Sequence, residues 1–240
     1  MAKNDFMAES AENYEQKCLC VLVLDVSGSM RGEPIKELNQ GLIDFYNEVK
    51  DDETSSQRLE VCIMTFNDTV KTVQEPALVD NFTMPTLSAC GTTAMCDAVK
   101  EAIDVVDARK KWYKKTEQKY YRPWIILMTD GEPDEGQDVY GLAAQIKADI
   151  EAKSYVFMSV GIEGANMQTL RTIQGENTSI PGLKNFECPA KLKGLKFKQF
   201  FQWLSASMGT VINHGDDEKE NTNVREGEDI DWGDYVIYNI

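Results

Sequence analysis

Residues 19–30 read LCVLVLDVSGSM. Leu19 to Leu24 are apolar without interruption and rich in branched side chains, the pattern of a short strand buried on both faces. The strand runs into Asp25 and then into Val26-Ser27-Gly28-Ser29-Met30, a polar and turn-forming stretch. In open parallel sheets ligands sit beyond the carboxyl ends of the strands, so these oxygen-bearing side chains fall where a site is expected. Pro34 then stands near the first turn of a helix. Ile35, Leu38, Leu42, Phe45, Tyr46 and Val49 recur along it at three-and-four spacing.

Outward from this unit, strand and helix alternate. Leu59–Phe66 reads as a second strand, joined through an Asn67-Asp68 turn to a short third strand over Val70–Val73. Met95–Ala108 is helical, with Val99, Ala102, Ile103 and Val106 on one face. Trp124–Met128 is a buried strand, Val139–Ala152 a helix, Tyr155–Val160 a strand and Met167–Ile173 a short helix. Lys184–Glu187 reads as an edge strand and Phe197–Val211 as a final amphipathic helix. This alternation predicts an α/β fold, a doubly wound, mostly parallel central sheet with helices on both faces. The expected division is an N-terminal extension over residues 1–17, one domain over 18–212 and a C-terminal tail over 213–240. The domain is long enough to bury a large core.

The 240 residues carry 25 Lys and Arg against 40 Asp and Glu, a net charge of −15. That balance argues against a nucleic-acid or anionic-membrane binder, since both need a basic surface. No apolar run approaches a membrane span, and the polar start MAKNDFMAES does not resemble a signal peptide. Six cysteines without an export signal predict free thiols in a reducing, cytoplasmic setting. Residues 109–122 (RKKWYKKTEQKYYR) hold seven bases interleaved with aromatics. They read either as a phosphate-and-base contact or, in so acidic a chain, as a solvated helix end and loop. The segment from His214 to Ile240 holds nine acids and two bases. Its end, DIDWGDYVIYNI, is too apolar for a plain acidic tail, and reads as an added strand on this domain or as a linear motif for a partner. His214 is the single histidine, which rules out zinc sites built on several imidazoles.

Asp25, Ser27 and Ser29 alternate on one tight loop and can converge on one point. A carboxylate with two hydroxyls is a hard-oxygen set suited to Mg²⁺, with Mn²⁺ a second possibility. Gly28 is expected to permit the turn. Taken singly, Ser27 and Ser29 are equally suited to capping the next helix.

VLVLDVSGSMRGEPI resembles the first motif of von Willebrand factor A (vWA) domains, which opens a metal-ion-dependent adhesion site. Residues 90–99 (CGTTAMCDAV) are similar to the family's second element, a threonine ahead of a helix. The resemblance gives Thr93 the metal role, with Thr92 as second choice. Residues 125–131 (IILMTDG) resemble the third element, an aspartate after a buried strand, here Asp130. Thr93 as a helix cap and Asp130-Gly131 as a turn are the competing readings. The resemblance implies a Rossmann-like vWA fold, and metal ligands Asp25, Ser27, Ser29, Thr93 and Asp130. It implies a non-enzymatic protein-protein interaction in which a partner's Asp or Glu completes the coordination of a divalent cation. The RGEPI and TDGEP wording is closer to bacterial stand-alone, TerY-like members of tellurite-resistance systems. That likeness implies a stress-response or defence setting, with a kinase or phosphatase of the same system as a candidate partner.

Two other classes remain at this stage. A Mg²⁺-dependent hydrolase or phosphatase would use Asp25 as nucleophile, but a phosphotransferase of the haloacid-dehalogenase type needs an acid two residues later, where Ser27 stands. A metal-free scaffold would act through the tail. No phosphate-cradling G-x-x-x-x-G-K-[ST] loop, dinucleotide G-x-G-x-x-G or nucleophile elbow G-x-S-x-G occurs.

Overall fold

A computed structural model describes residues 13–81, 84–175, 189–192, 194–214 and 230–231. The chain runs β1 (Cys18–Asp25), α1 (Glu33–Asp51), α2 (Glu53–Arg58), β2 (Leu59–Phe66), β3 (Val70–Leu78) and α3 (Met95–Lys115). It continues through β4 (Trp124–Thr129), α4 (Val139–Glu151), β5 (Val156–Gly161), α5 (Met167–Gln174), β6 (Ala190–Leu192), α6 (Phe197–His214) and β7 (Ile230–Asp231). The strands form one sheet in the order β3-β2-β1-β4-β5-β6-β7. β2, β1, β4, β5 and β6 are parallel, and β3 and β7 pair antiparallel at the two edges.

β1 is central, and its alternating side chains split the core in two. Cys18, Cys20, Leu22 and Leu24 face a cluster with Leu42 and Phe45 of α1 and Phe201 and Leu204 of α6. Leu19, Val21 and Val23 face the opposite cluster, with Val99 of α3, Ile146 of α4 and Leu170 of α5. Both faces being covered is why the strand reads as continuous apolar sequence. From β1 the chain moves to β2 and β3 on one side, then crosses to β4 on the other. The topological switch therefore lies between β1 and β4, and Asp25 and Thr129 end those two strands.

Four elements differ from the sequence expectation. β3 runs to Leu78, five residues past Val73, as an edge strand whose residues alternate between part-exposed and exposed to Glu75, with Pro76 and Leu78 buried. Its polar faces and Pro76 hide it, yet proline is tolerated on an edge. α2 is a six-residue helix between α1 and β2, capped by the Asp52 carboxylate, which accepts from the Ser55 amide at 2.6 Å. α3 continues past Ala108 to Lys115, because Arg109 and Tyr113 are buried rather than solvated. α6 reaches His214, three residues past Val211. Lys184–Glu187 lies outside the described residues, and the parallel strand beside β5 is Ala190–Leu192. The tail adds a strand: Ile230 pairs with Leu192 and Asp231 with Lys191.

In the basic stretch Lys111, Lys114, Lys115 and Lys119 are exposed, as a solvated helix end requires, while Arg109 and two of the tyrosines are committed to the fold. Arg109 forks onto the Glu60 carboxylate at 2.6 and 2.8 Å, and the Tyr113 hydroxyl donates to the same group at 2.5 Å. Tyr113 stacks on Tyr120 with ring centroids 4.9 Å apart. Tyr113 and Tyr121 are both buried. Burial pulls the Arg109 guanidinium down, but its bonds to Glu60 and the charge there outweigh that and hold it above its ordinary range. Among the described residues, no helix is long and apolar enough to cross a membrane.

Candidate functional site

The site forms at the carboxyl end of β1 and β4. Asp25 is fully buried, and one carboxylate oxygen accepts from the Ser27 amide at 2.8 Å. The other accepts from the Thr129 hydroxyl at 2.5 Å. That hydroxyl in turn accepts from the Gly131 amide at 3.0 Å, so Thr129 ties the β4 loop to Asp25. The hydroxyls of Ser27 and Ser29 lie 3.0 Å apart, and Ser29 donates to Asp130 Oδ1 at 2.8 Å. Asp25, Ser27, Ser29 and Asp130 thus form one linked oxygen network.

Neither serine caps a helix. Ser27 precedes the Gly28–Met30 turn without a side-chain cap bond, and α1 begins after Gly32. Gly28 is needed for a close approach, not for an unusual backbone angle. Its amide donates to the Gly91 carbonyl at 3.0 Å, and a Cβ there would stand 3.3 Å from that oxygen.

The threonine loop is pinned from three sides. The Cys90 amide donates to Val26, and the Ala94 amide to Asn67, both at 2.8 Å. The Thr92 amide donates to Asp68 Oδ1 at 2.5 Å. Gly91 has φ +82°, and a Cβ on it would stand 2.5 Å from the same carboxylate oxygen, so only glycine fits. From the β4 loop, Asp134 Oδ2 accepts from the Thr92 hydroxyl at 2.6 Å and the Thr93 amide at 2.9 Å. Thr92 is thereby spent on Asp134. The Thr93 hydroxyl has no hydrogen-bond partner among the described residues, although Thr93 is only 9% exposed. Thr93 and Asp25 flank Gly131 together: a Cβ built there would lie 3.6 Å from Thr93 Oγ1 and 3.8 Å from Asp25 Oδ2. Thr93 is no helix cap either. The Gln137 side chain takes that role on α3, accepting from the Cys96 amide at 2.7 Å and the Asp97 amide at 3.2 Å.

All five residues expected from the sequence therefore meet at one place. Thr129, Asp134 and Gln137 hold the arrangement and were not assigned these tasks by the sequence. Thr129 stands beside Asp130 in the TDG wording, a signal present but unused. Nothing in the sequence links Gln137 to a helix 40 residues earlier.

Electrostatics follow from burial. Burial raises the Asp25 carboxyl above its usual range, against bonds from Ser27 and Thr129 that lower it, and Asp130 raises it further. Burial also raises Asp130, against its bond from Ser29. Two carboxylates short of water, two serine hydroxyls and an unpartnered threonine hydroxyl make a donor set for a hard divalent cation. Two carboxylates are few for such a centre. No group of three or more His, Cys, Asp and Glu fit to hold a metal occurs among the described residues.

Several solved structures share this fold. Proximal thread matrix protein 1 from the mussel byssus is 13% identical with a TM-score of 0.53, over 80% of this chain and 46% of that one. The ArnB paralog VWA2 from Sulfolobus acidocaldarius is 16% identical with a TM-score of 0.51, over 80% and 45%. The vWF domain of the type V pili tip protein Mfa5 from Porphyromonas gingivalis is 11% identical with a TM-score of 0.56, over 84% and 98%. The chain thus spans under half the length of the first two structures. No curated protein sequence matches it. The sequence model of the von Willebrand factor type A domain matches residues 20–187, the stretch that carries β1, the threonine loop and β4. The chain belongs to the von Willebrand factor type A domain family, whose members commonly serve as protein-interaction modules.

Proposed function

We propose that this chain is a non-enzymatic, metal-dependent binding module. Asp25, Ser27, Ser29, Thr93 and Asp130 hold a divalent cation, Mg²⁺ or Mn²⁺, and a partner protein supplies an Asp or Glu to it. The observation that carries this reading is the linked cluster at the ends of β1 and β4, in which Asp25, Ser27, Ser29 and Asp130 hold one another beside the unspent Thr93 hydroxyl. A cation so held, with only two carboxylates around it, stays electrophilic enough to accept a third from outside. The protein's own part is to fix the oxygens. Asp25 is held through Thr129 and the Ser27 amide, and Thr93 through Asp134.

A bacterial stress-response or tellurite-resistance setting, with a kinase or phosphatase as partner, rests on the RGEPI and TDGEP wording. A cytoplasmic location is supported by the free thiols of Cys18, Cys20, Cys62, Cys90 and Cys96. The hydrolase alternative gains nothing from the geometry, since Ser27 occupies the general-acid position and bonds to Ser29.

Calorimetric titration of Mg²⁺ and Mn²⁺ into wild type and Asp25→Ala tests the reading. Binding is expected in wild type and lost in the variant. An aspartyl peptide should then bind wild type only with metal present. Equal heats in the two proteins would overturn the site. Turnover of a phosphate ester by wild type but not by Asp25→Ala would replace binding by catalysis.

A further inference from the structure

The loops that ring the candidate site carry a charge pattern the site does not need for itself. They are residues 25–34, 66–69, 88–97, 130–138 and 162–166, which emerge around the carboxyl ends of β1, β2, β4 and β5. Arg31 is the single base among them. Asp68, Asp97, Glu132, Glu135 and Glu163 are exposed, and Asp134 is half-buried. Where these carboxylates are bonded, the donors are neutral. Asp68 accepts from the Thr92 amide, Asp97 from the Gln137 amide group and Glu132 from the Asn166 amide group. Among the described residues, none of these six forms an ion pair; Glu33, at the edge of the same loops, pairs with Lys36, and away from them Glu60 pairs with Arg109 and Asp44 with Lys198.

One divalent cation balances the two central carboxylates and leaves this rim uncompensated. An incoming carboxylate meets attraction at the centre and repulsion around it. Screening by salt is incomplete within a Debye length of about 10 Å at 0.1 M, so charges on loops that ring the site act on a ligand seated in it. A ligand acid flanked by bases reverses the sign of the rim contribution while keeping the central one.

We propose that the partner's metal-directed Asp or Glu lies in a basic segment, with Lys or Arg on both sides seated against Asp68, Glu132 and Glu163. This rests on the metal-binding reading above and adds the partner's charge pattern to it. The rim selects among carboxylates that the cation alone would treat alike.

The test uses the full chain with Mg²⁺ and short peptides with a central aspartate, flanked by two lysines or by two glutamates. A lysine-flanked peptide with a central asparagine serves as control. The lysine-flanked aspartyl peptide should bind at least about tenfold more tightly at low salt. The gap should shrink to under about threefold in 0.5 M NaCl. It should shrink likewise in Asp68→Asn/Glu132→Gln/Glu163→Gln, which keeps each oxygen acceptor and removes the charge. Equal affinity for the two flanks, a gap unchanged in the triple variant, or no peptide binding by the Mg²⁺-loaded protein overturns the inference. Should the lysine-flanked peptide bind equally with asparagine at its centre and in EDTA, the rim's preference stands and the metal-binding reading fails.

Discussion

Thr93 separates a metal ligand from a structural threonine more sharply than any other residue of the site. A threonine that stabilises its loop loses that contribution when its hydroxyl is removed, but this hydroxyl bonds to nothing among the described residues. Thr93→Val keeps the shape. It should leave metal-free stability within about 0.5 kcal/mol of wild type, since no bond is lost. The same variant should weaken Mg²⁺ binding at least about tenfold, as one hard-oxygen ligand is gone. Denaturant unfolding without metal and calorimetry with it check the two halves, and a large loss of stability would return Thr93 to the fold. The cysteines beside it divide as cleanly. Burial raises the Cys96 thiol to about 11, helped by Asp97 and Asp138 and opposed by Lys100. At pH 8 only about one Cys96 in a thousand is a thiolate. Cys90 is exposed. A thiol reagent at pH 8 should therefore modify Cys90 in native protein and spare Cys96, which peptide mapping by mass spectrometry reads directly. The five candidate positions were legible in the sequence because each follows a strand or precedes a helix in a short motif. Thr129, Asp134 and Gln137 were not, because a hydrogen bond across 40 or 100 residues leaves no local pattern.

At the scale of elements, the sequence failed where polar residues do core work. α3 extends to Lys115 because Arg109 and Tyr113, one turn apart, close on Glu60 of β2. A hydrophobic periodicity cannot register an arginine facing inward. Arg109→Met leaves the Glu60 charge buried and unpaired, and should cost about 3–5 kcal/mol. In a Tyr113→Phe background, which leaves no buried hydroxyl orphaned, Glu60→Leu combined with Arg109→Met should recover most of it, since an apolar pair of similar volume is often neutral against a buried ion pair. A double-mutant cycle by urea unfolding measures both, and additive losses would mean that the pair is not coupled. Gly41 makes the same point for helix packing. Its missing side chain lets α6 approach α1, and an added Cβ would stand 2.9 Å from Phe197 Cβ and 3.0 Å from Phe201 Cδ2. Gly41→Ala should destabilise by about 1–3 kcal/mol through overpacking, although alanine is the better helix former by about 1 kcal/mol. A glycine inside a helical pattern is a weak signal until the neighbouring helix is known. By contrast, β1, β2, β4 and β5 were plain in the sequence because their residues are apolar almost throughout, as burial on two faces demands.

For the whole molecule, the question is whether a cation is bound in one place or spread over an acidic surface. A chain with net charge −15 is stabilised by any salt that screens repulsion among its acids. Mg²⁺ acts in that way too, so a rise in melting temperature on adding it is not enough. Asp25→Ala separates the two effects, because it removes one buried carboxylate and leaves the surface charges in place. Sodium chloride should raise the melting temperature of wild type and variant by similar amounts. Mg²⁺ at the same ionic strength, and at about 100 times its dissociation constant, should add about 2.7 kcal/mol to wild type alone. At roughly 2–4 °C per kcal/mol for a chain of this size, that is about 5–11 °C. Asp25→Ala should show only the increment that sodium chloride gives. Equal gains in the two proteins under Mg²⁺ would mean diffuse screening. The linked oxygens at the end of β1 would then be a hydrogen-bonded corner of the fold, and its partners would have to be sought elsewhere on the surface.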